Sequence, residues 1–273
     1  MVAKLYIGTS GWSYPTGEGT WKGHFYPVGT RNELIYYSQF FNTVEINSSF
    51  YAPVNPVYAA NWARRTPPGF KFTAKLWQKF THPRMYEETT GEVAAVSRDD
   101  VELFRKGIEP LATADKLGAP LVQFPPSFTN SETSRRTIRA IVRTFGAYPL
   151  AFELRHRSWS DDPDTRSLLL ESGSAWVQTD EPRFAISSAV ELPITSSMAY
   201  FRFHGRNYED WWSGSNELRY KYLYNEQEMQ ELATRVKETA EQTTVLFAFF
   251  NNHYQGYAPR NARQMKMELG FGD

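Results

Sequence analysis

Eight short apolar runs, each bounded by turn residues, constrain this chain more than any other feature. They cover residues 4–9, 43–49, 70–77, 120–125, 150–156, 175–180, 198–204 and 245–252. Helical patterns lie between most of them. Met229, Leu232, Ala233, Val236 and Ala240 recur at the spacing that puts one apolar stripe on a helix. Segments 98–117 and 131–145 carry similar stripes. Thr30-x-x-Glu33 and Asn225-x-x-Glu228 have capping-box spacing, in which two side chains satisfy backbone N–H groups reciprocally. Asn55-Pro56 and Asp162-Pro163 place a capping side chain before a proline suited to the first helical turn. The stretch between Asp180 and Met198 is too proline-broken to predict a helix.

Alternating strands and helices argue for a parallel sheet. Eight such units in 273 residues predict an α/β fold, a single (β/α)8 TIM-type barrel spanning 1–273 as one domain. No Gly-x-Gly-x-x-Gly follows the first run, so a dinucleotide fold lacks its phosphate signature. Links from helix to strand are short, at 66–69, 117–119 and 172–173. Links from strand to helix are long, at 10–29, 78–97 and 205–224. In a barrel the long ones form the C-terminal face, where active sites sit.

Parallel strands covered on both sides should be nearly all apolar, and these are not. Side chains alternate along a strand, so each run divides into two faces. Val44 and Ile46 oppose Glu45 and Asn47. Phe72, Ala74 and Leu76 oppose Thr73, Lys75 and Trp77. Phe152 and Leu154 oppose Glu153 and Arg155. Ala175, Val177 and Thr179 oppose Gln178 and Asp180. Phe201 and Phe203 oppose Arg202 and His204. If the apolar faces pack on outer helices, the polar faces point into the barrel, joined by Gln123 and by Asn251 or Asn252. The expected ring then sets Glu45, Glu153 and Asp180 against Lys75, Arg155 and Arg202. Isolated buried charges are costly, so the six should pair with one another or face a wet pocket. His82, His156, His204 and His253 follow strands or their loops on the same face. Imidazole there suits proton transfer or metal binding.

Composition narrows the chemistry. Lys plus Arg and Asp plus Glu are both 30, so a nucleic acid held by bulk electrostatics is not favoured. The absence of cysteine removes disulfides, thiol nucleophiles and cysteine-ligated metals. No apolar run is long enough to span a membrane and no secretory leader is read, so a cytoplasmic location is expected. Aromatic side chains crowd two long links, among them Trp12, Tyr14 and Trp21 in one and Tyr208, Trp211 and Trp212 in the other. Such rings pack a lid or stack on ring-shaped ligands.

Several segments together carry a resemblance. They are Gly8-Thr9-Ser10-Gly11-Trp12, Trp21-x-Gly23-x-Phe25-Tyr26-Pro27, Val44-Glu45-Ile46-Asn47-Ser48-Ser49-Phe50-Tyr51, Lys75, Thr81-His82, Gln123-Phe124-Pro125-Pro126-Ser127-Phe128, Glu153-x-Arg155-His156-x-Ser158-Trp159, Asp180-Glu181-Pro182, Tyr200-x-Arg202-x-His204-Gly205-Arg206 and Phe250-Asn251-Asn252. In this order, from Gly8 to about Ala262, they resemble the YecE-like family, domain of unknown function 72. The resemblance implies a TIM-type barrel and supplies no established activity.

Four functions compete. The first is an enzyme using acid/base chemistry on a small anionic, phosphorylated or sugar-like substrate. Its catalytic candidates are Glu45, Lys75, Glu153, Asp180 and His204, with Glu45 or Glu153 as base and His204 as proton donor or its partner. Its binding candidates are Trp12, Asn47, Gln123, Arg155, His156, Arg202, Arg206, Asn251 and Asn252, the arginines offering forked contacts to phosphate or carboxylate. It calls for no metal or cofactor. A Schiff-base role for Lys75 is weaker, because Glu45 on the next strand is expected to keep it protonated. The second is a metal-dependent barrel similar to xylose isomerase or endonuclease IV, with Glu153, Asp180, His204 and Asn252 as ligands. The third is a nucleic-acid binder or nuclease, and the fourth a non-catalytic ligand-binding barrel. A glycosidase is disfavoured because Glu45 and Glu153, three strands apart, are expected to exceed the roughly 5–9.5 Å such pairs need.

Overall fold

The computed structural model describes residues 3–213 and 216–271. Among them nine strands form one sheet: β1 (Lys4–Ser10), β2 (Thr43–Ile46), β3 (Lys71–Lys75), β4 (Leu117–Gln123), β5 (Ala151–Glu153), β6 (Ala175–Trp176), β7 (Gln178–Asp180), β8 (Met198–Phe203) and β9 (Val245–Phe250). Their order is β6-β5-β4-β3-β2-β1-β9-β8-β7, and every pairing is parallel. Neighbours in the sheet are therefore neighbours in the sequence, as the alternation predicts.

The strand count is nine rather than eight. The sixth run is divided: β6 bonds to β5, and β7 bonds to β8. Val177 alone separates the two pieces, and its N–H reaches the Phe152 carbonyl at 2.9 Å. A closing barrel staggers its strands. The short β5 runs out of partners, so the chain passes from one neighbour to the other at this point. The two ends of the sheet thus meet within one run, and the parallel strands make a nearly closed barrel.

Helices cover the outside. Asn55 caps the helix Pro56–Arg65, and Asn225 with Glu228 completes the predicted capping box on Glu226–Ala240. The first helix differs from expectation. It is Glu33–Tyr37, capped by Asn32, while the Thr30 hydroxyl turns back to the Pro27 carbonyl. The link 181–197 carries no helix, as its prolines indicate. No helix among the described residues is long and apolar enough to cross a membrane.

Two apolar layers follow from the strand alternation. Val44, Ile46, Phe72, Ala74, Phe152, Phe201 and Phe203 pack outward under the helices. A separate inner cluster of Tyr6, Ala119, Leu121, Ala151, Ala175, Val177, Met198, Tyr200, Phe247 and Phe249 fills the lower lumen. Each large side chain there contributes about 1.5–3 kcal/mol by leaving water. Gly118 makes room for this filling, since a Cβ there would come within 2.6 Å of the Phe247 ring. The lumen floor is thus closed, and polar groups are confined to its C-terminal end.

Candidate functional site

The strand ends bring Glu45, Lys75, Gln123, Glu153, Arg155, Arg202, His204 and Asn251 into the upper lumen. Arg202, on β8, is the hub. Its Nη2 reaches Glu45 Oε1 at 2.7 Å and its Nε reaches Glu45 Oε2 at 3.1 Å. Its Nη1 reaches Glu153 Oε2 at 2.6 Å. Glu153 Oε1 accepts from Arg155 Nε at 2.5 Å. The Tyr200 hydroxyl donates to Glu45 Oε2 at 2.7 Å and contacts the Thr73 hydroxyl at 2.9 Å. Arg202 is 2% exposed, Glu45 0% and Glu153 1%. Buried charges at that depth persist only when paired and fully hydrogen-bonded, and these are.

This geometry corrects the expectation of a free carboxylate base. Glu45 and Glu153 grip one guanidinium, so an arginine fills the space between them. Neither carboxylate is a ready base, since each is engaged at both oxygens. Burial pushes the Glu153 carboxyl up, but Arg155 and Arg202 outweigh it and hold it well below the ordinary carboxylate range.

His204 is fully buried beside this hub. Burial, then Arg202 and Arg155, drive its imidazole well below the ordinary value, so it is neutral at pH 7. Arg155 Nη2 lies 3.2 Å and Arg202 Nη1 3.5 Å from its Nε2, and the Asn251 carboxamide lies 3.0 Å from Nδ1. A neutral ring has one acceptor nitrogen. Guanidinium can only donate, so Nε2 accepts and Nδ1, facing the Asn251 carboxamide, carries the proton. His204 is therefore a wedge between arginines and not the proton donor the sequence suggested.

Lys75 stands apart from the pairing. Its Nζ lies 3.9 Å from the centroid of the Phe50 ring, and no carboxylate among the described residues is within ion-pair distance. The expectation that Glu45 keeps it protonated fails, because Arg202 and Tyr200 occupy Glu45. Burial and then Arg202 bring the Lys75 amine down to about 7. His82 lies alongside, lowered to about 3 by burial and by Lys75.

The strand that ends in Asp180 is oriented opposite to expectation. Ala175 and Val177 fill the lumen, so Gln178 and Asp180 point outward. Gln178 pairs with the backbone of Leu192, at 2.7 Å and 3.1 Å. Asp180 accepts two bonds from Arg206, at 2.9 Å and 2.8 Å, and one from the Tyr224 hydroxyl at 2.8 Å. Polar partners from the outer links thus satisfy both side chains, which the strand's own pattern does not reveal. Asp180 and Arg206 leave the ring. Glu181 takes the inward place, its Oε2 3.9 Å from Arg155 Nη1. Burial raises its carboxyl, and Arg155 offsets only part of that.

Other candidates also lie elsewhere. Asn252 donates to the Tyr222 carbonyl at 2.8 Å and to Asn261 at 2.9 Å, away from the lumen. His156 caps the helix Arg157–Ser160 through Nδ1, which accepts from the Ser158 N–H at 3.1 Å. Trp12 packs edge-on against Trp62 and Phe72, on the outer side. Asn47 sits beside the Tyr14 hydroxyl at the rim, and Gln123 donates to the Phe124 carbonyl at 3.1 Å. The metal-ligand set fails with Asp180 and Asn252 facing away and Glu153 clamped by two arginines. No group of three or more His, Asp or Glu able to hold a metal ion occurs among the described residues.

Glu181, Tyr200, Ser10 and Tyr14 were not among the catalytic or binding candidates read from the sequence, although all four lie in segments it singled out. The small Ala175 and Val177 were the available signal, since small side chains suit a filled lumen. Ser10 Oγ and Glu181 Oε2 are buried without a hydrogen-bond partner among the described residues. Beside Glu181 a narrow cleft opens between Pro126, Arg155, Phe184, Trp211 and Trp212. A wider surface depression lies at the opposite end of the barrel, around Lys4 and Pro67, and no histidine or carboxylate lines it.

Residues 6–272, nearly the whole barrel, match a family described as "Protein of unknown function DUF72". The chain belongs to the DUF72 family. It is 31% identical over 275 residues to the UPF0759 protein YunF of Bacillus subtilis strain 168, covering 96% of this chain and 93% of that protein. The crystal structure of a DUF72 family protein from Thermotoga maritima shares 36% identity and a TM-score of 0.84, covering 97% of this chain and 99% of that one. A DUF72 family protein from Enterococcus faecalis V583 superposes with a TM-score of 0.85 at 26% identity, over 98% of this chain and 96% of that one. The resemblance read from the motifs is thereby shown. DUF72 carries no established activity, so the chemistry is argued from the mouth of this barrel.

Proposed function

We propose that the C-terminal mouth is an enzyme active site for proton-transfer chemistry on a small anionic, phosphorylated or sugar-like substrate. One observation carries this reading: among the described residues, Lys75 is the inner-ring cation without a carboxylate within ion-pair distance. Arg202 and Arg155 are anchored by Glu45 and Glu153, and burial, then Arg202, brings the Lys75 amine down to about 7. An acid/base group works best when its pKa is near the working pH. Arg155 keeps Nη1 free of hydrogen bonds among the described residues and supplies the anion contact.

Competitive acylation with trace acetic anhydride checks this directly. Lys75 is expected to react half-maximally near pH 7, being protonated below and free above, whereas exposed lysines titrate near 10. Glucose 6-phosphate or pyruvate should slow its labelling. An amine that titrates near 10 and is protected by no anionic or sugar ligand overturns the reading.

A further inference from the structure

We propose that the cleft between Arg155 and Glu181 is a subsite for one hydroxyl group of a polyhydroxylated, sugar-like ligand. The proposal rests on the active-site reading above in taking that ligand to be the substrate. Three observations support it, none of them involving Lys75. First, both side chains line the same cleft, Arg155 being 11% and Glu181 6% exposed. Glu181 Oε2 has no hydrogen-bond partner among the described residues. Arg155 commits Nε to Glu153 and Nη2 to His204, and Nη1 to neither. An unsatisfied buried oxygen is destabilising, and an occupant of the cleft that bonds it offsets that cost.

Second, the gap fits one atom. Nη1 and Oε2 stand 3.9 Å apart, too far for a hydrogen bond between them. A single oxygen about 2.7 Å from each closes the gap at an angle of roughly 90°. The enclosed space is about that of one water molecule, so one oxygen enters and not a whole ring.

Third, the walls favour a hydroxyl over a free water. Pro126, Phe184, Ile186, Trp211 and Trp212 make up most of the lining. The Ser187 hydroxyl, also there, already accepts from the Phe184 N–H at 3.1 Å. A water between Nη1 and Oε2 would turn its remaining hydrogen-bonding capacity toward apolar side chains. An alcohol oxygen puts its carbon on that side instead. Ile186 and Trp212 are 42% and 57% exposed, so the cleft is reached from solvent.

A hydroxyl also suits both states of Glu181. It accepts from Arg155 and donates to the carboxylate, or it accepts from the acid whose proton burial helps to retain. A carboxylate or phosphate oxygen suits the second state alone. Nη1 carries two N–H bonds, enough for the hydroxyl and for the anion contact of the active-site reading.

Ligand-observed NMR on the whole chain at pH 7 tests the subsite. The probes are glycerol, ribose, glucose, ribose 5-phosphate and glucose 6-phosphate, with pyruvate as an anion that has no hydroxyl. At least one hydroxylated probe is expected to bind the wild type, and Glu181→Leu to weaken it about tenfold or more, as losing a hydrogen bond to a charged group does. Pyruvate should bind both proteins alike. Glu181→Leu removes an unsatisfied buried oxygen, so it is expected to melt no lower than the wild type, which separates lost binding from lost fold. Hydroxylated probes that bind both proteins equally, or neither, overturn the subsite. Wild-type crystals soaked in the tightest probe need no variant. An alcohol oxygen within about 3.2 Å of both Arg155 Nη1 and Glu181 Oε2 is expected, and a water in that place overturns the proposal. Acylation of Lys75 reads the proton-transfer proposal separately. Protection by pyruvate without Glu181-dependent binding refutes the hydroxyl subsite and leaves proton transfer standing. Glu181-dependent binding beside a Lys75 that titrates near 10, unprotected, keeps the subsite as a binding site and removes proton transfer.

Discussion

Arg202→Met is expected to destabilise the barrel by at least about 3–5 kcal/mol at neutral pH, the cost of breaking one buried ion pair. Met matches the stem of the side chain, so little of the loss comes from a cavity. The loss comes from Glu45 and Glu153, 0% and 1% exposed, left facing each other without their shared cation. Two carboxylates lose their partner, which makes this larger than a single-pair deletion. Glu153 retains Arg155, so Glu45 bears the greater penalty. Neutralising it should recover part of the loss, and the double variant Glu45→Gln/Arg202→Met is expected to be more stable than Arg202→Met alone. Urea melts of the wild type, both single variants and the double variant complete the cycle. Additive single effects, with a loss for Arg202→Met below about 1 kcal/mol, would show that water screens the hub and that its pairing is not structural.

Acid should unfold the protein steeply between about pH 6.5 and pH 4. His82, His204 and His253 are all lowered by burial, His82 to about 3 and His253 to about 4. Their folded values lie below the unfolded value of about 6.5, so across this window the unfolded chain binds protons that the folded one refuses. Stability then rises with pH. Each histidine contributes about 1.4 kcal/mol per pH unit, and three together give about 4 kcal/mol per pH unit. The contribution is present above pH 6.5 and is lost as pH falls, ending for His253 near 4 and for His82 near 3. Lys75 has the same sign at higher pH. Its folded value of about 7 lies below the ordinary value near 10.4, so stability should go on rising through that interval. Urea melts at pH 7, 6, 5 and 4 measure the slope, and His253→Gln should reduce it by about a third. A slope near zero between pH 6 and 5 would mean that these rings are charged in the folded protein.

The anchored hub and the free amine divide the inner ring into two kinds of residue. Glu45, Glu153, Arg155, Arg202 and Tyr200 hold one another in a closed set of hydrogen bonds. Lys75 and Glu181, on opposite sides of Arg155 in the strand order, keep reactive groups unspent. Burial sets most of the lowered Lys75 basicity and Arg202 adds to it, so loss of Arg202 should return Lys75 part of the way toward ordinary basicity.

Much of this was legible in the chain. Alternating apolar runs predicted a parallel barrel with strands in sequential order, because each run is too short and too apolar to be stable outside a covered sheet. The two-residue period placed Glu45, Lys75, Glu153, Arg155, Arg202 and His204 in the lumen, since their neighbours Val44, Ala74, Phe152, Phe201 and Phe203 had to meet the helices. Period alone could not orient the sixth run. There both faces offered a plausible burial, and the outcome depended on Arg206, Tyr224 and the Leu192 backbone arriving from distant links to satisfy Asp180 and Gln178. The same limit explains the split at Val177, which reflects barrel stagger and not any local preference. Sequence by itself determined which residues face inward on strands with one clearly apolar side, because hydrophobic burial is read residue by residue. Only the tertiary structure decided which inward charges neutralise each other, leaving Lys75 unpaired, because ion pairing depends on distances of a few ångströms across strands that the sequence separates by scores of residues.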